Sequence, residues 1–207
     1  RKGQVKRTEL KEYMTNRSSA VAACKVGSDD AVLSVTMSNN DKDILLVSRD
    51  GMSIRFKEQE VNAMGRVSAG VRGIQLKEGD KVVSALWVEE DEGEILTLTD
   101  LGYGKRTLLA DYLPQSRGGK GLATFEFKEG KRVKPNGTRI AGAFYCREPL
   151  EITAMTQAGQ SFSFNSEQAP LAERKSIGKL LVHVEKKDEI IDLLVTGSEP
   201  SRTESKS

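Results

Sequence analysis

Ile95-Leu96-Thr97-Leu98-Thr99-Asp100-Leu101-Gly102-Tyr103-Gly104-Lys105-Arg106-Thr107 reads as a strand, a tight glycine turn and a second strand. An apolar run, a glycine and a short alternating run form the signature of a β-hairpin. The same arrangement recurs around Gly51, after Ile44-Leu45-Leu46-Val47, and around Gly159, after Ile152-Thr153-Ala154-Met155. Gly3 opens the chain in the same frame, and the four glycines stand 48, 51 and 57 residues apart. A period in this range marks stacked supersecondary units.

The register continues downstream. Arg66, Arg117 and Arg174 each fall 15 residues after their repeat glycine, and Arg17 falls 14 after Gly3. Gly70, Gly121 and Gly178 each fall 19 after. An apolar segment follows in every unit: Val21–Cys24, Gly73–Leu76, Leu122–Phe125 and Leu180–His183. A further run closes each unit: Ala31–Val35, Val82–Leu86, Arg139–Ala143 and Ile190–Leu194. About four short strands per unit and no convincing long helix predict an all-β, propeller-like array of about four four-stranded blades. The repeats run over about 1–40, 41–91, 92–148 and 149–197, and the polar tail 198–207 reads as disordered.

Composition is globular, with 37% hydrophobic and 30% charged residues. No apolar run approaches the length of a membrane span, and no signal-peptide pattern opens the chain. Arg1 at the start, in place of Met, reads as the cut end of a longer protein. Net charge is only +2, so any affinity for a polyanion rests on where the cations are placed. Cys24 and Cys146 lack CxxC spacing and read as buried thiols of a reducing cytoplasm. His183, the single histidine, lies in an apolar run and reads as a packed core residue. Glu89–Glu94 reads as a solvated acidic loop at a blade junction, and Trp87 as packing between blades. No Ser-His-Asp, HExxH or P-loop pattern occurs, so no catalytic or metal residue is predicted.

Gln115-Ser116-Arg117-Gly118-Gly119-Lys120-Gly121 combines three glycines and two cations, a backbone and charge suited to an anion. With Gly65-Arg66-Val67-Ser68-Ala69-Gly70-Val71-Arg72-Gly73-Ile74, Gly102-Tyr103-Gly104-Lys105-Arg106-Thr107 and Gly3-Gln4-Val5-Lys6-Arg7-Thr8, it resembles the C-terminal domain of the A subunit of bacterial type IIA topoisomerases. DNA gyrase is the nearer likeness and topoisomerase IV the second. The resemblance covers nearly all of 1–197. It implies a hairpin-exchanging propeller, the β-pinwheel, that wraps duplex DNA around a basic rim without catalysis of its own. It also implies a bacterial cytoplasmic enzyme that contains a breakage-reunion part and an ATPase B subunit, and that uses ATP and Mg2+. The signature box of that family sits in its first blade. Its near-copy here, with Ser116 in the second position, lies in the third of four repeats. Tyr13, Tyr103, Tyr112 and Tyr145 are not preceded by arginine, unlike the cleaving tyrosine of that family.

Expected phosphate contacts fall in two sets. The first is the hairpin cations Lys6, Arg7, Arg55 and Lys57, Lys105 and Arg106. The second is Arg17, Arg66, Arg117 and Arg174, with Arg72, Lys120, Lys175, Lys179 and the backbone of Gly118, Gly119 and Gly121. Lys and Arg neutralise phosphates, while glycine lets backbone N–H groups approach phosphate oxygens. Charge removal at Lys105 and Arg106 is expected to weaken DNA binding and leave the fold intact. The competing readings are cations that merely keep sheet edges apart, or a propeller that serves as a platform for protein partners.

Overall fold

The computed structural model describes residues 1–16, 18–89, 92–128, 130 and 132–196. Among the described residues thirteen strands occur, in chain order. The first repeat contributes β1 (Gln4–Val5). The second contributes β2 (Asp43–Ser48), β3 (Met52–Lys57), β4 (Val71–Arg72) and β5 (Val82–Val88). The third contributes β6 (Glu94–Thr99), β7 (Tyr103–Leu108), β8 (Leu122–Ala123) and β9 (Ile140–Cys146). The fourth contributes β10 (Glu151–Thr156), β11 (Ser161–Asn165), β12 (Lys179–Leu180) and β13 (Ile190–Val195).

The repeats and the sheets do not coincide. β8 completes the sheet β5-β2-β3-β8, and β12 completes β12-β7-β6-β9, so each repeat hands one short strand back to its predecessor. β4 pairs with β1 in the same way, and β11-β10-β13 forms a three-stranded sheet. All pairings between strands are antiparallel. This is the hairpin exchange of a pinwheel.

Hairpins form around Gly51, Gly102 and Gly159, while Gly3 leads into β1, which pairs with β4 of the next repeat. Gly3, Gly51, Gly102 and Gly159 all hold φ between +80° and +84°, a left-handed conformation that only glycine adopts cheaply. A 3-10 turn starts seven residues after each of them: Leu10–Tyr13, Glu58–Glu60, Leu109–Asp111 and Ser166–Gln168. These turns carry no apolar periodicity, so the sequence pattern does not predict them.

Both faces of the inner sheets are buried, which explains why their strands are continuous apolar runs. Ile44 and Leu46 of β2 join Ile54, Phe56, Val61, Ile74 and Val82 in one cluster, with Val5, Leu33 and Trp87 against it. Leu45 and Val47 point the other way, into a cluster with Ile95, Leu109, Tyr112, Phe125 and Ile140. Leu96 and Leu98 of β6 then meet Cys146, Ile152, Ala154, Phe164, Val182 and Ile190. Three cores therefore glue four units in series, as in a stack of repeats. Each fully buried aliphatic side chain adds roughly 1.5–3 kcal/mol.

Of the closing strands, β9 touches both β5 and β13 directly, and this row marks the inner side of the array. The handed-back strands β4, β8 and β12 lie at the opposite edge of their sheets, at the rim. A shared stitch ties each closing strand to the preceding unit. The N–H groups of Val82, Ile140 and Ile190 donate to the carbonyls of Arg1, Arg49 and Asp100 at 2.7–2.8 Å, each two residues before a repeat glycine.

Several sequence expectations are corrected. Val21–Cys24 and Ala31–Val35 form no strand. A closing strand pairs with the strand ahead of its repeat glycine, and the described residues hold no such strand for Ala31–Val35 to join. The segments expected after Gly70, Gly121 and Gly178 shorten to two-residue strands. His183 is exposed, because it follows buried Val182 where the chain has left the ladder. Cys24 is half-buried and Cys146 buried, and both are free thiols. Burial pushes the Cys146 thiol up to about 11. Within the acidic loop, Glu89 and Glu92 pair with Arg147 at 3.0 and 3.3 Å. Glu90 and Asp91 of that loop, and the tail 198–207, lie outside the described residues.

Candidate nucleic-acid interface

The predicted cations separate into two groups by what their side chains touch. Of the hairpin cations, Lys6, Arg7, Arg55, Lys105 and Arg106 turn toward the covering repeat and are buried or half-buried, whereas Lys57, the last residue of β3, is exposed. Lys105 is fully buried. Its Nζ donates to Thr107 Oγ1 at 2.9 Å and to the carbonyls of Glu173 and Arg174 at 2.8 Å each. It also lies 5.9 Å from the centre of the Phe125 ring. Lys6, at the same place in the first repeat, donates to the carbonyls of Ala23 and Arg66.

Arg55 is 4% exposed; its Nε pairs with Asp43 at 2.8 Å and its Nη1 reaches the Tyr112 carbonyl at 3.3 Å. Arg106 pairs with Glu94 at 2.6 Å and donates to the Ala169 carbonyl at 3.0 Å. Arg7 bonds Asn40. The exposed-turn placement expected for Lys105 and Arg55 is thus corrected. Buried and fully engaged, these two groups cannot reach a phosphate. They hold each hairpin to the loop of the next repeat.

The backbone repeats this latch three times. The carbonyls of Arg7, Arg55 and Arg106 accept from Met64, Gln115 and Ala172 at 2.7–3.0 Å. The carbonyls of Gly3, Gly51 and Gly102 accept from Gly73, Thr124 and Leu181 at 2.7–2.9 Å. Each donor sits 13 or 22 residues after its own repeat glycine. The in-register arginines join in: Arg117 Nη1 donates to the Arg72 carbonyl and Arg174 Nη1 to the Ala123 carbonyl, each at 2.5 Å.

The loop 115–121 is therefore tied down along its length. Gly118 N–H donates to Gly73 at 2.8 Å, Gly119 accepts from Gln75 at 2.8 Å, and Arg117 N–H bonds the Glu60 carboxylate at 2.9 Å.

The second group points outward. Arg72, Lys120, Lys175 and Lys179 are exposed, Arg66 is half-buried, and none of the five side chains has a partner among the described residues. All lie on, or in the loops leading to, the rim strands β4, β8 and β12. Arg17 lies outside the described residues. Chemically this is a set of solvated cations on a rigid, backbone-latched edge, suited to a polyanion and offering no base-reading helix. Among the described residues no cluster of three or more His, Cys, Asp or Glu could hold a metal ion, and no helix is long and apolar enough to cross a membrane. The two groups are indistinguishable in sequence, since both are Lys or Arg in repeat register. The hint that the hairpin cations are structural was their alternation within a strand otherwise destined for burial.

Lys105 provides a test. Burial, then the nearby Arg174 charge, pushes its pKa down from 10.5 to about 8, with Asp111 opposing. The unfolded chain therefore binds more protons between about pH 8 and 10.5, and stability from this group rises with pH across that window. The full cost of about 3 kcal/mol is carried below pH 8. Urea unfolding should show the wild type gaining stability over Lys105→Met between pH 8 and 10.5. A pH-independent difference would refute the buried, charged assignment.

Comparison with known proteins identifies the arrangement. The family model described as DNA gyrase C-terminal domain, beta-propeller, matches residues 1–39, 42–87, 93–134 and 151–196. The chain is 35% identical over 191 residues to the DNA gyrase A protein of Escherichia coli (strain K12), covering 92% of this chain and 21% of that protein. It is 31% identical over 207 residues to the DNA gyrase A protein of Mycolicibacterium smegmatis, covering 99% of this chain and 24% of that protein. It thus spans about a quarter or less of the curated relatives. The solved C-terminal domain of DNA topoisomerase IV superposes with a TM-score of 0.84 at 27% identity, over 94% of this chain and 59% of that one. A solved DNA gyrase A C-terminal domain gives 0.77 at 22%, over 93% and 62%, a likeness of fold. Four family matches in series, on four units latched in series, show that the chain belongs to the DNA gyrase C-terminal domain family.

Proposed function

We propose that this chain is the DNA-binding, DNA-wrapping domain of a gyrase A protein. It would bend a duplex along its rim and present the adjoining segment for strand passage. The observation that carries the reading is the set of unpartnered cations Arg66, Arg72, Lys120, Lys175 and Lys179 at the rim edges of successive units. Bending 20–30 base pairs costs about 1–6 kcal/mol, which several spaced contacts can offset. In this reading the chain has no catalytic residue. Cleavage belongs to the breakage-reunion part of the same polypeptide, and ATP with Mg2+ to the partner B subunit, within a cytoplasmic enzyme.

A second reading is favoured by the higher TM-score to the topoisomerase IV domain: the same wrapping module serving decatenation. Supercoiling against decatenation assays on the whole enzyme, with and without this domain, separate the two.

The primary test is retardation of a linear duplex as salt rises. With four to five phosphates neutralised, the log–log slope should be about −4. Absence of binding at low salt, or binding indifferent to salt, would reject the DNA reading in favour of a protein-interaction platform.

A further inference from the structure

The first two repeats meet along a short ladder in which Gln4 opposes Arg72 and Val5 opposes Val71. Beside it lies an open groove of about 410 Å³, lined among others by Lys2, Gln4, Arg72, Gln75, Lys77 and Asp80. The charges around it do not cancel. Lys2 is paired with Asp29. Asp80 is buried, and its Oδ1 accepts from the Asp50 and Lys81 N–H groups at 3.0 and 2.7 Å. Arg72 and Lys77 are not buried and have no side-chain partner among the described residues.

The wall is also rigid. The Arg72 carbonyl is held by Arg117, the Gly73 carbonyl by Gly118, and the Gln75 N–H by Gly119. A guanidinium, an ammonium and two primary amides thus border one notch, all donors suited to phosphate oxygens.

We propose that this groove seats one phosphate of a bound duplex, with Arg72 and Lys77 as charged donors and Gln4 and Gln75 as neutral ones. The proposal rests on the DNA-binding reading and adds a contact between the first two repeats. Of these four residues, Lys77 stands outside the repeated motifs. A free phosphate would meet the same donors, so the experiment separates the two sources.

Duplex retardation against salt is measured for the wild type, R72Q/K77Q and K175Q/K179Q. Side-chain amide signals of Gln4 and Gln75 are followed as duplex or inorganic phosphate is added. R72Q/K77Q should bind roughly three- to tenfold more weakly, with a slope shallower by about 0.9. The amide signals should saturate with duplex at phosphate concentrations where inorganic phosphate leaves them unmoved. Wild-type affinity and slope in R72Q/K77Q, with K175Q/K179Q weakened, would overturn the groove and leave the wider reading standing. Saturation by inorganic phosphate as readily as by duplex would overturn it in favour of a free-anion site. Failure of the wild type to bind duplex at all would remove both.

Discussion

Replacing Arg72, Lys120, Lys175 and Lys179 together by Gln should lower affinity for duplex DNA on the order of 100-fold at moderate salt and leave the melting temperature nearly unchanged. The four side chains are solvated and make no bond within the described residues, so folding gains little from them. Each phosphate they neutralise releases counterions, so removing four contacts should flatten the salt slope by about 3.6. The measurement is retardation across a salt series, paired with a thermal melt. Undiminished binding would move the DNA track to another face, and a large drop in melting temperature would make these residues structural. The pair that reads most like a phosphate clamp, Lys105 and Arg106, is excluded from this set. Lys105 spends all three of its donors inside the molecule, and Arg106 is tied to Glu94 and Ala169.

Gly102→Ala should destabilise the domain by roughly 3–5 kcal/mol and lower its melting temperature by about 10–15 °C. Gly102 holds φ +80°, and a Cβ there would stand 2.1 Å from the Val182 carbonyl oxygen. The contact cannot be relieved by a rotamer change, because the obstacle is backbone. Relief requires moving the segment after β12, which costs the bonds from Leu181 and Val182 N–H to the Gly102 carbonyl at 2.9 and 3.2 Å. The control is Gly79→Ala. Gly79 has φ +79° but open space around the new Cβ, so it should lose only about 1 kcal/mol of left-handed strain. Equal thermal melts for the two variants would refute the claim that blade latching, and not turn conformation alone, fixes this glycine.

The repeat was legible because its causes are local. A glycine turn needs glycine, a buried strand needs an apolar run, and both recur at a fixed spacing that a single chain displays. Hence the hairpins around Gly51, Gly102 and Gly159, the four repeat glycines and the family likeness follow from the residues. The boundaries of the blades were not legible, because two-residue strands such as Leu122–Ala123 acquire their ladder only from the hairpin of another repeat. The 3-10 turns were hidden for a related reason: Glu58, Leu109 and Ser166 are buried by contacts distant in sequence, not by any periodicity of their own.

An array of four repeat units carrying cations in register thus follows from the residues alone, since turn chemistry and burial pattern are properties of short segments. Which cations remain available to a ligand is settled by the packing of one unit on the next. Arg55 and Arg72, or Lys105 and Lys120, are equivalent in charge and in repeat logic. One of each pair is consumed by carbonyls or a carboxylate within the packed units, and the other faces water at the rim. That difference arises largely from contacts across 50 or more residues of chain, where hydrogen-bond geometry and desolvation, not residue type, set the outcome.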